Sequence, residues 1–350
     1  SCSPGGQTGM AGEKTAKNKQ NLLLAAVLLG LAAYVVLFCA TRLPSLQGRL
    51  AAEGGLRVPR RIDMLAVWLL LPDEALLSAW FGSPPQFSLL DRAGVLLVAG
   101  AILAVAAAVG WLMMLLFRAD RGLTRLETFV FATAVGLNAV STYVLAVGLT
   151  GLLRSVSVFA VPAALVLATA AWLHVRRRRT GTSLPSAASP PHPSSLIPHP
   201  SNAAWLDPRW LWLAAPFVAV IVLGAMLPPL DFDVREYHLQ VPKEWFEQGR
   251  IGFLAHNVYG NMPMGAEVLS LPAMCIFGDW WPGALAGKTV IAAYTLLCGA
   301  ALLAAGRRFF SPAAGIFAAV VYVSTPWIVR VSPSGLVEGA SAGTMFLAVY

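Results

Sequence analysis

Charged residues are scarce in this chain of 350 residues, where they make up 12%, whereas hydrophobic residues make up 57%. Soluble domains carry about 25% charged residues, and a soluble fold could not bury so much apolar surface. Several stretches of about 20 residues have almost no charge, and at a rise of about 1.5 Å per residue each would cross a hydrocarbon core of roughly 30 Å. The sequence therefore predicts a polytopic integral membrane protein.

Cysteine and histidine are also scarce. Neither residue type shows a metal-ligand or redox spacing, so a metal site built from histidine or cysteine is disfavoured. We interpret the cysteines as small apolar residues that are buried in the fold; they are Cys2, Cys39, Cys275 and Cys298. The net charge of +8 lies at segment ends and in one linker. This distribution is typical of membrane topology signals and argues against nucleic acid as a partner.

The apolar stretches form two groups, which predict an all-α fold: a polytopic transmembrane helical bundle with juxtamembrane helices in the first outer loop of its second half. The predicted complete spans are Leu22 to Ala40, Ala93 to Phe117, Glu127 to Leu149, Val156 to His174, Trp210 to Leu227, Ala284 to Gly306 and Ala313 to Val329, with a further start near Ala340. Residues 183–202, between the groups, are rich in proline and serine and cannot bury a core. We therefore divide the chain into a membrane region at 1–178, a cytoplasmic linker at 179–209 and a second membrane module at 210–350.

The two ends of the chain and the stretch Ile62 to Phe81 need separate interpretation. The chain has no initial Met and stops at Tyr350 inside an apolar run, so we expect a fragment of a longer protein. The length of the first apolar stretch favours a retained signal-anchor helix over a cleaved signal peptide. The stretch Ile62 to Phe81 could alternatively be a span, but it carries Asp73 and Glu74 near its middle, each of which would cost about 2.5 kcal/mol or more inside a bilayer. We interpret it as an interfacial helix.

The basic residues predict the orientation of the spans, because arginine and lysine favour the cytoplasmic side. Four basic groups can share that side: the N-terminal lysines, Arg118 with Arg121 and Arg125, Arg176 to Arg179, and Arg307 with Arg308. The segment Asp231 to Pro282 and the loop from Arg330 to Glu338 then lie together on the outer face.

Polar side chains are dense directly after the span that ends near Leu227. Eight residues contain Asp231, Asp233, Arg235, Glu236, Tyr237 and His238. Carboxylates two residues apart can bind a divalent cation, or one can act as a general base, so Asp231 and Asp233 are candidates for both roles. Arg235, Lys243 and Arg250 are candidates to hold a phosphate. Ordinary solvation of a helix end is the alternative, but the many aromatic and polar residues that follow favour a site.

The order of these features resembles the polytopic glycosyltransferases of the GT-C fold, within them the family 39-related relatives of dolichyl-phosphate-mannose protein mannosyltransferase and of the lipid A aminoarabinose transferase. These enzymes place an acidic motif in the first outer loop, where this chain has Asp233 followed by Tyr237 and His238. The resemblance covers Trp210 to Tyr350. It continues through Pro242, Lys243, Trp245 and Gly249, a turn at Pro263, Phe277 with Gly278, Arg307 to Phe310, Thr325 with Pro326, and an outer-face acid at Glu338.

One departure from the family pattern leaves the acting acid open. Many members have Glu directly after the first Asp, where this chain has Val234. Either Asp231 or Glu236 could supply the second carboxylate.

The resemblance implies transfer of a sugar from a polyprenyl-phosphate donor to a lipid, glycan or protein acceptor on the outer face of the membrane. It implies Asp233 as the base, with Asp231, Glu236 and Glu338 as further candidate acids. The cofactor is unknown; the spacing of the two aspartates allows a divalent cation. The candidate substrate contacts are Arg235, Tyr237, His238, Lys243, Asn257, Tyr259 and Arg330, the last towards the donor phosphate. The loop style resembles bacterial members, which implies a bacterial inner membrane with the site facing the periplasm and membrane lipid as a partner.

Two other classes of function remain open. A transporter or channel would carry ionisable residues near the midplane of its spans, whereas these spans are almost free of charge and Lys288 is close enough to a span end to snorkel. A non-catalytic assembly protein that binds through its outer loop is the second alternative.

Overall fold

The computed structural model describes residues 7–42, 60–63, 89–179 and 207–350. Within these residues the fold is all-α and contains no β-strand, as predicted. The chain divides into two compact units, Ser1–Leu89 and Leu90–Tyr350. The proline- and serine-rich stretch at 183–202 lies outside the described residues, as does nearly all of the stretch interpreted as an interfacial helix, Ile62 to Phe81.

Eleven α-helices make up most of the described residues. They are α1 Gln7–Ala40, α2 Leu89–Leu116, α3 Arg125–Leu149, α4 Val156–Arg179, α5 Ala215–Ala225, α6 Gln240–Gln248, α7 Ser270–Phe277, α8 Trp280–Phe309, α9 Pro312–Ser324, α10 Pro326–Val331 and α11 Glu338–Val349. Three short 3-10 turns, Pro208–Ala214, Val258–Asn261 and Glu267–Leu269, and one π-helical turn, Val234–His238, lie between them.

Within the described residues, six helices are long and apolar enough to cross a membrane. Their ranges are Asn18–Ala40, Arg92–Leu116, Arg125–Leu149, Val156–Arg179, Pro208–Ala225 and Trp280–Phe309. They correspond to six of the seven predicted spans, and their number identifies a multi-pass membrane protein.

The seventh predicted span, Ala313 to Val329, is interrupted, so the prediction of one continuous helix is wrong. α9 ends at Ser324, Thr325 is extended with φ −60° and ψ 123°, and Pro326 begins α10. A residue before proline is driven out of the helical region by contact with the proline ring, and proline itself has no N–H for the helix.

The first unit contains α1 and the short segment 60–63. The apolar side chains of α1 are largely exposed, as expected of a helix that faces lipid. The guanidinium of Arg61 lies over the ring of Phe38, 4.3 Å from its centroid. This cation–π contact fixes the segment near the C-terminal end of α1.

In the second unit, α2 and α3 cross in backbone contact. A Cβ atom added to Gly110 would lie 1.8 Å from the carbonyl oxygen of Ala132, and one added to Gly136 would lie 1.6 Å from that of Ala106. On each helix a glycine follows an alanine by four residues, which is the small-residue spacing that lets membrane helices approach closely. α2 and α3 therefore form a tightly packed hairpin.

Helix α8 is the centre of the second unit, where it packs against α3, α5, α7, α9 and α11. Glycines again allow the close approach. A Cβ atom added to Gly287 would lie 2.2 Å from Cβ of Ser270 on α7, and one added to Gly306 would lie 2.4 Å from Cα of Gly315 on α9.

Hydrogen bonds join the helices before residue 180 to the segment after residue 206. The amide of Ile251 donates to the carbonyl of Gly148 at 2.8 Å, and the amide of Leu153 donates to that of Gly249 at 3.3 Å. The regions on both sides of the proline- and serine-rich linker therefore belong to one compact unit.

Candidate functional site

The second unit has two chemically different ends, and α3 connects them. At the start of α3, Arg308 Nη1 lies 2.9 Å from Glu127 Oε1, and nearby Arg177 Nη1 lies 3.5 Å from Asp120 Oδ2. These contacts bring the three arginine groups of residues 118–125, 176–179 and 307–308 together at what we call the basic end. The C-terminal end of α3 bonds to residues 249–251, so the segment that follows α5 lies at the opposite end, which we call the acidic end.

A π-helical turn presents the acidic residues after α5. The amide of Leu239 donates to the carbonyl of Val234 at 2.9 Å, a bond that encloses one residue more than an α-helical turn does. Such turns are frequent at functional sites. The side chain of Val234 is fully buried and anchors the turn, while Asp233, Arg235 and Glu236 are exposed.

In addition to burial, two exposed acids, Asp233 and Glu338, both raise the pKa of the Tyr237 phenol. Asp233 is exposed and makes no side-chain hydrogen bond to the turn that it precedes, and Glu338 is exposed at the first residue of α11. Burial raises the pKa of Tyr237, and the negative charges of Asp233 and Glu338 raise it further. The fold therefore brings these two acids, distant in sequence, within electrostatic range of one hydroxyl group.

Tyr237 belongs to an aromatic pair on the same surface. Its ring stacks on that of Tyr259 with centroids 5.0 Å apart and an angle of 27° between the planes. Asn257 holds the two turns together, because its Nδ2 donates to the carbonyl of Glu236 at 2.9 Å and its Oδ1 accepts from the amide of Gly260 at 3.2 Å. Asn257 is buried, so its visible role is to position the tyrosine pair.

His238 lies in the interior beneath the turn. Its Nδ1 is 2.8 Å from Oε1 of Glu267, and both side chains are buried. Sequence reasoning selected His238 but missed Glu267, because no local pattern relates two residues that are 29 positions apart. Substrate contact by His238 stays a prediction; in the structure its imidazole supports the π-helical turn from inside.

Asp231 and Arg330 form a two-pronged ion pair across the acidic end. Arg330 Nη1 and Nη2 donate to the two carboxylate oxygens at 2.9 Å and 3.2 Å. The hydrogen bonds from Asp231 raise the pKa of Arg330 above that of free arginine. The guanidinium stays accessible, with 62% of the arginine side chain exposed, so two of its donors are held by Asp231 while the group still faces solvent.

Lys243 is held against an aromatic ring rather than extended into solvent. Its Nζ lies 4.3 Å from the ring centroid of Trp280 and 3.9 Å from Oε1 of Glu247. Of the three residues predicted to hold a phosphate, Arg235 and Arg250 are therefore the more exposed ones.

A metal at the two aspartates lacks further ligands. Within the part of the chain that the structure describes, no three His, Cys, Asp or Glu side chains are grouped so that they could hold a metal ion. The carboxylate of Asp231 is bound by Arg330 on both oxygens. The residues present therefore do not fit a divalent cation.

Lys288 is buried in α8, so the expectation that it snorkels to a span end is wrong. Only 1% of the residue is exposed. Its Nζ donates to the carbonyl oxygens of Leu227 and Gly224 at the C-terminal end of α5, where a positive charge is favoured by the helix dipole.

Gly335 packs closely against both Lys288 and the π-helical turn. A Cβ atom added to Gly335, which has φ +99°, would lie 2.9 Å from Cγ of Lys288 and 3.1 Å from Cγ1 of Val234. Lys288 thus links the segment before Glu338 to the turn after Asp233.

The fold and this site define a multi-pass helical membrane protein with an acidic, aromatic surface at one end of its helices. Comparison of the chain with family models, with curated proteins and with solved structures gave no match.

Proposed function

We propose that the protein is a membrane glycosyltransferase of the GT-C type, which moves a sugar from a polyprenyl-phosphate donor to a lipid, glycan or protein acceptor. The observation that carries the proposal is that Asp233 and Glu338 are both exposed at one end of the apolar helices, where Gly335, three residues before Glu338, packs against Val234. A lipid-linked donor presents its sugar at the membrane surface, so an enzyme that uses it needs its acids at the ends of its spans. Location in a bacterial inner membrane, with the acidic end facing the periplasm, belongs to the same proposal.

Asp233 is the base in this reaction because its carboxylate is exposed. It takes the proton from an acceptor hydroxyl while the acceptor oxygen bonds to the anomeric carbon of the sugar. The bond from that carbon to the phosphate oxygen breaks, and polyprenyl phosphate leaves with the electron pair. The proton remains on Asp233, and Glu338 binds a further hydroxyl of the acceptor.

Arg330 stabilises the leaving phosphate. Its guanidinium has five N–H donors in a planar fork, and the ion pair with Asp231 uses two of its nitrogen atoms. Asp231 therefore holds the arginine in one orientation. Preorganised donors of this kind stabilise the charge that develops on a leaving group.

The stacked pair of Tyr237 and Tyr259 supplies an aromatic surface beside the acids. A sugar ring has an apolar face of C–H groups, and this face packs against the exposed ring of Tyr259. Asn257 and the pair of His238 with Glu267 keep the surface in place through the contacts described above.

The test is Asp233→Asn in the full-length protein, assayed for sugar transfer from polyprenyl-phosphate donors. Loss of a general base should lower the rate by about 10²-fold or more. Asp279→Asn is the matched control, because Asp279 is an exposed aspartate that caps α8 by accepting from the amide of Trp281, and asparagine caps helices equally well. Equal activity of Asp233→Asn and wild type would remove Asp233 from the mechanism.

One observation favours transport as the second candidate function. An ionisable residue inside a membrane helix often marks the path of a substrate, and Lys288 is such a residue in α8. Uptake of a labelled sugar by proteoliposomes of the wild-type protein, with no product of sugar transfer, would support the transporter. Transfer without uptake would support the enzyme, and binding with neither would support a non-catalytic assembly protein.

A further inference from the structure

The basic end gathers arginines from three parts of the chain. Arg177 contacts Asp120, which lies in the turn between α2 and α3. Arg308, at the end of α8, donates to the carbonyl of Gly122 in the same turn at 3.3 Å and to Glu127 at 2.9 Å. The ends of α4 and α8 therefore meet around the α2–α3 turn.

Positive charge is left in excess at this end. Asp120 and Glu127 are both buried, and each is paired with one arginine of these groups. Besides Arg176, which is also exposed, six other arginines of the three groups are exposed: Arg118, Arg121, Arg125, Arg178, Arg179 and Arg307. Their charge is available to an anionic molecule in the surroundings.

Aromatic and aliphatic side chains adjoin these arginines. The guanidinium of Arg176 lies 5.3 Å from the ring centroid of Trp172, and that of Arg177 lies 5.9 Å from the ring centroid of Trp111. Leu116 and Phe117 at the end of α2 are exposed. An apolar helix surface thus continues directly into the arginine cluster, and tryptophans mark the level at which membrane helices meet the headgroups.

We propose that the basic end binds the phosphodiester headgroup of an anionic phospholipid, whose acyl chains lie along the exposed apolar sides of α2 and α4. Basic pockets between membrane helices bind such headgroups. The adjoining apolar surface favours a lipid over a soluble anion, because only the lipid covers Leu116, Phe117 and Trp172 as well as neutralising the arginines. This site lies at the opposite end from Asp233 and is independent of the proposed glycosyltransferase activity.

The experiment uses full-length protein in nanodiscs made of phosphatidylcholine with a minor fraction of phosphatidylglycerol. Nanodiscs expose both ends to the same lipids, so the result does not depend on the orientation of insertion. Phosphatidylglycerol with brominated acyl chains should quench tryptophan fluorescence more than equally brominated phosphatidylcholine does. The double variant Trp111→Phe, Trp172→Phe should lose this difference, and inorganic phosphate at equal ionic strength should not compete.

Arginine variants locate the site. Each arginine near an anionic surface contributes about 1 kcal/mol, or about fivefold in affinity. The triple variant Arg121→Gln, Arg178→Gln, Arg179→Gln should lower the preference for phosphatidylglycerol by about fivefold for each arginine. Arg250→Gln is the control, because Arg250 is an exposed arginine at the acidic end. The same triple replacement by lysine keeps the charge and should retain most of the preference.

Three outcomes would overturn the proposal: equal quenching by the two lipids in wild type, an unchanged preference in the glutamine triple variant, or an equal loss in Arg250→Gln. Competition by inorganic phosphate would show that the basic end binds a soluble anion and not a lipid. If the glutamine variant is not recovered in folded form, the tryptophan double variant alone decides, because retained selective quenching would place the lipid elsewhere.

Discussion

The two ends of the unit 90–350 use carboxylates in opposite ways. At the basic end, Glu127 is 1% exposed and accepts hydrogen bonds from the amide of Thr124, from Arg308 and from Tyr350. At the acidic end, Asp233 and Glu338 are exposed. A buried acid whose oxygens are all bonded stabilises the fold, whereas an exposed acid is available to react. The comparison separates acids that hold the protein together from acids that are worth testing for chemistry.

The largest expected effect on stability is at Glu127. Glu127→Ala leaves Arg308 without its carboxylate and removes the acceptor for the amide of Thr124, which is half of the capping box of α3. Loss of one partner of a buried ion pair costs about 3–5 kcal/mol. Glu338→Gln, at an exposed position, should change the free energy of unfolding by less than about 0.5 kcal/mol. Unfolding in mixed micelles of mild and denaturing detergent measures both. Equal effects of the two variants would break the distinction between the ends.

The crossing of α2 and α3 should have the next largest effect on stability. Gly110→Ala forces a Cβ atom against the carbonyl of Ala132, and overpacking of this kind costs about 1–3 kcal/mol. Gly100→Ala is the matched control on the same helix, because an added Cβ atom there meets nothing within 4 Å. If both variants unfold at the same detergent fraction, the close approach of α2 and α3 does not contribute to stability.

The Asp231–Arg330 pair should contribute much less than the Glu127–Arg308 pair. Exposed ion pairs contribute about 0–1 kcal/mol, and the arginine of this pair is largely exposed. A double-mutant cycle with Asp231→Asn and Arg330→Gln should give a coupling energy in that range. The same cycle on Glu127 and Arg308 should give a larger value, and the reverse order would contradict the distinction between the buried and the exposed acids.

The smallest expected effect is on the titration of Tyr237. Its pKa is raised by burial and by nearby carboxylates, so the phenol should keep its proton above pH of about 10, where free tyrosine ionises. The pKa of Tyr237 is higher in the folded than in the unfolded state. The stability that follows from this difference is therefore present below pH of about 10 and is lost as the pH rises through the folded pKa. The difference in ultraviolet titration between wild type and Tyr237→Phe measures it. Asp233→Asn should lower the pKa of Tyr237 only in part, since burial is the main cause.

The sequence predicted the membrane class, most of the spans and the grouping of the basic residues, because hydropathy and charge are local properties. It also contained the signal for the break at Thr325, since a threonine followed by proline inside an apolar run opposes a continuous helix. The arginine groups were expected on one side, and contacts between them now place them at one end.

The contacts that shape the candidate site could not be predicted, because they join residues far apart in the chain. Asp231 and Arg330 are 99 positions apart, and neither residue marks the other in the sequence. The burial of Lys288 depends on carbonyl groups of α5, whose position follows only from helix packing. Asp233 and Glu338 were both selected from the sequence, but their common action on Tyr237 required the fold.

The glycine crossing of α2 and α3 also bears on how the protein is made. Ala106, Gly110, Ala132 and Gly136 all lie in two helices that are joined by the short turn 117–124. The close contacts at these glycines involve only these two helices. We therefore expect this pair to assemble in the bilayer as soon as the ribosome has released α3. Residues 148–153 are then in place before residues 249–251, which form hydrogen bonds with them, have been made.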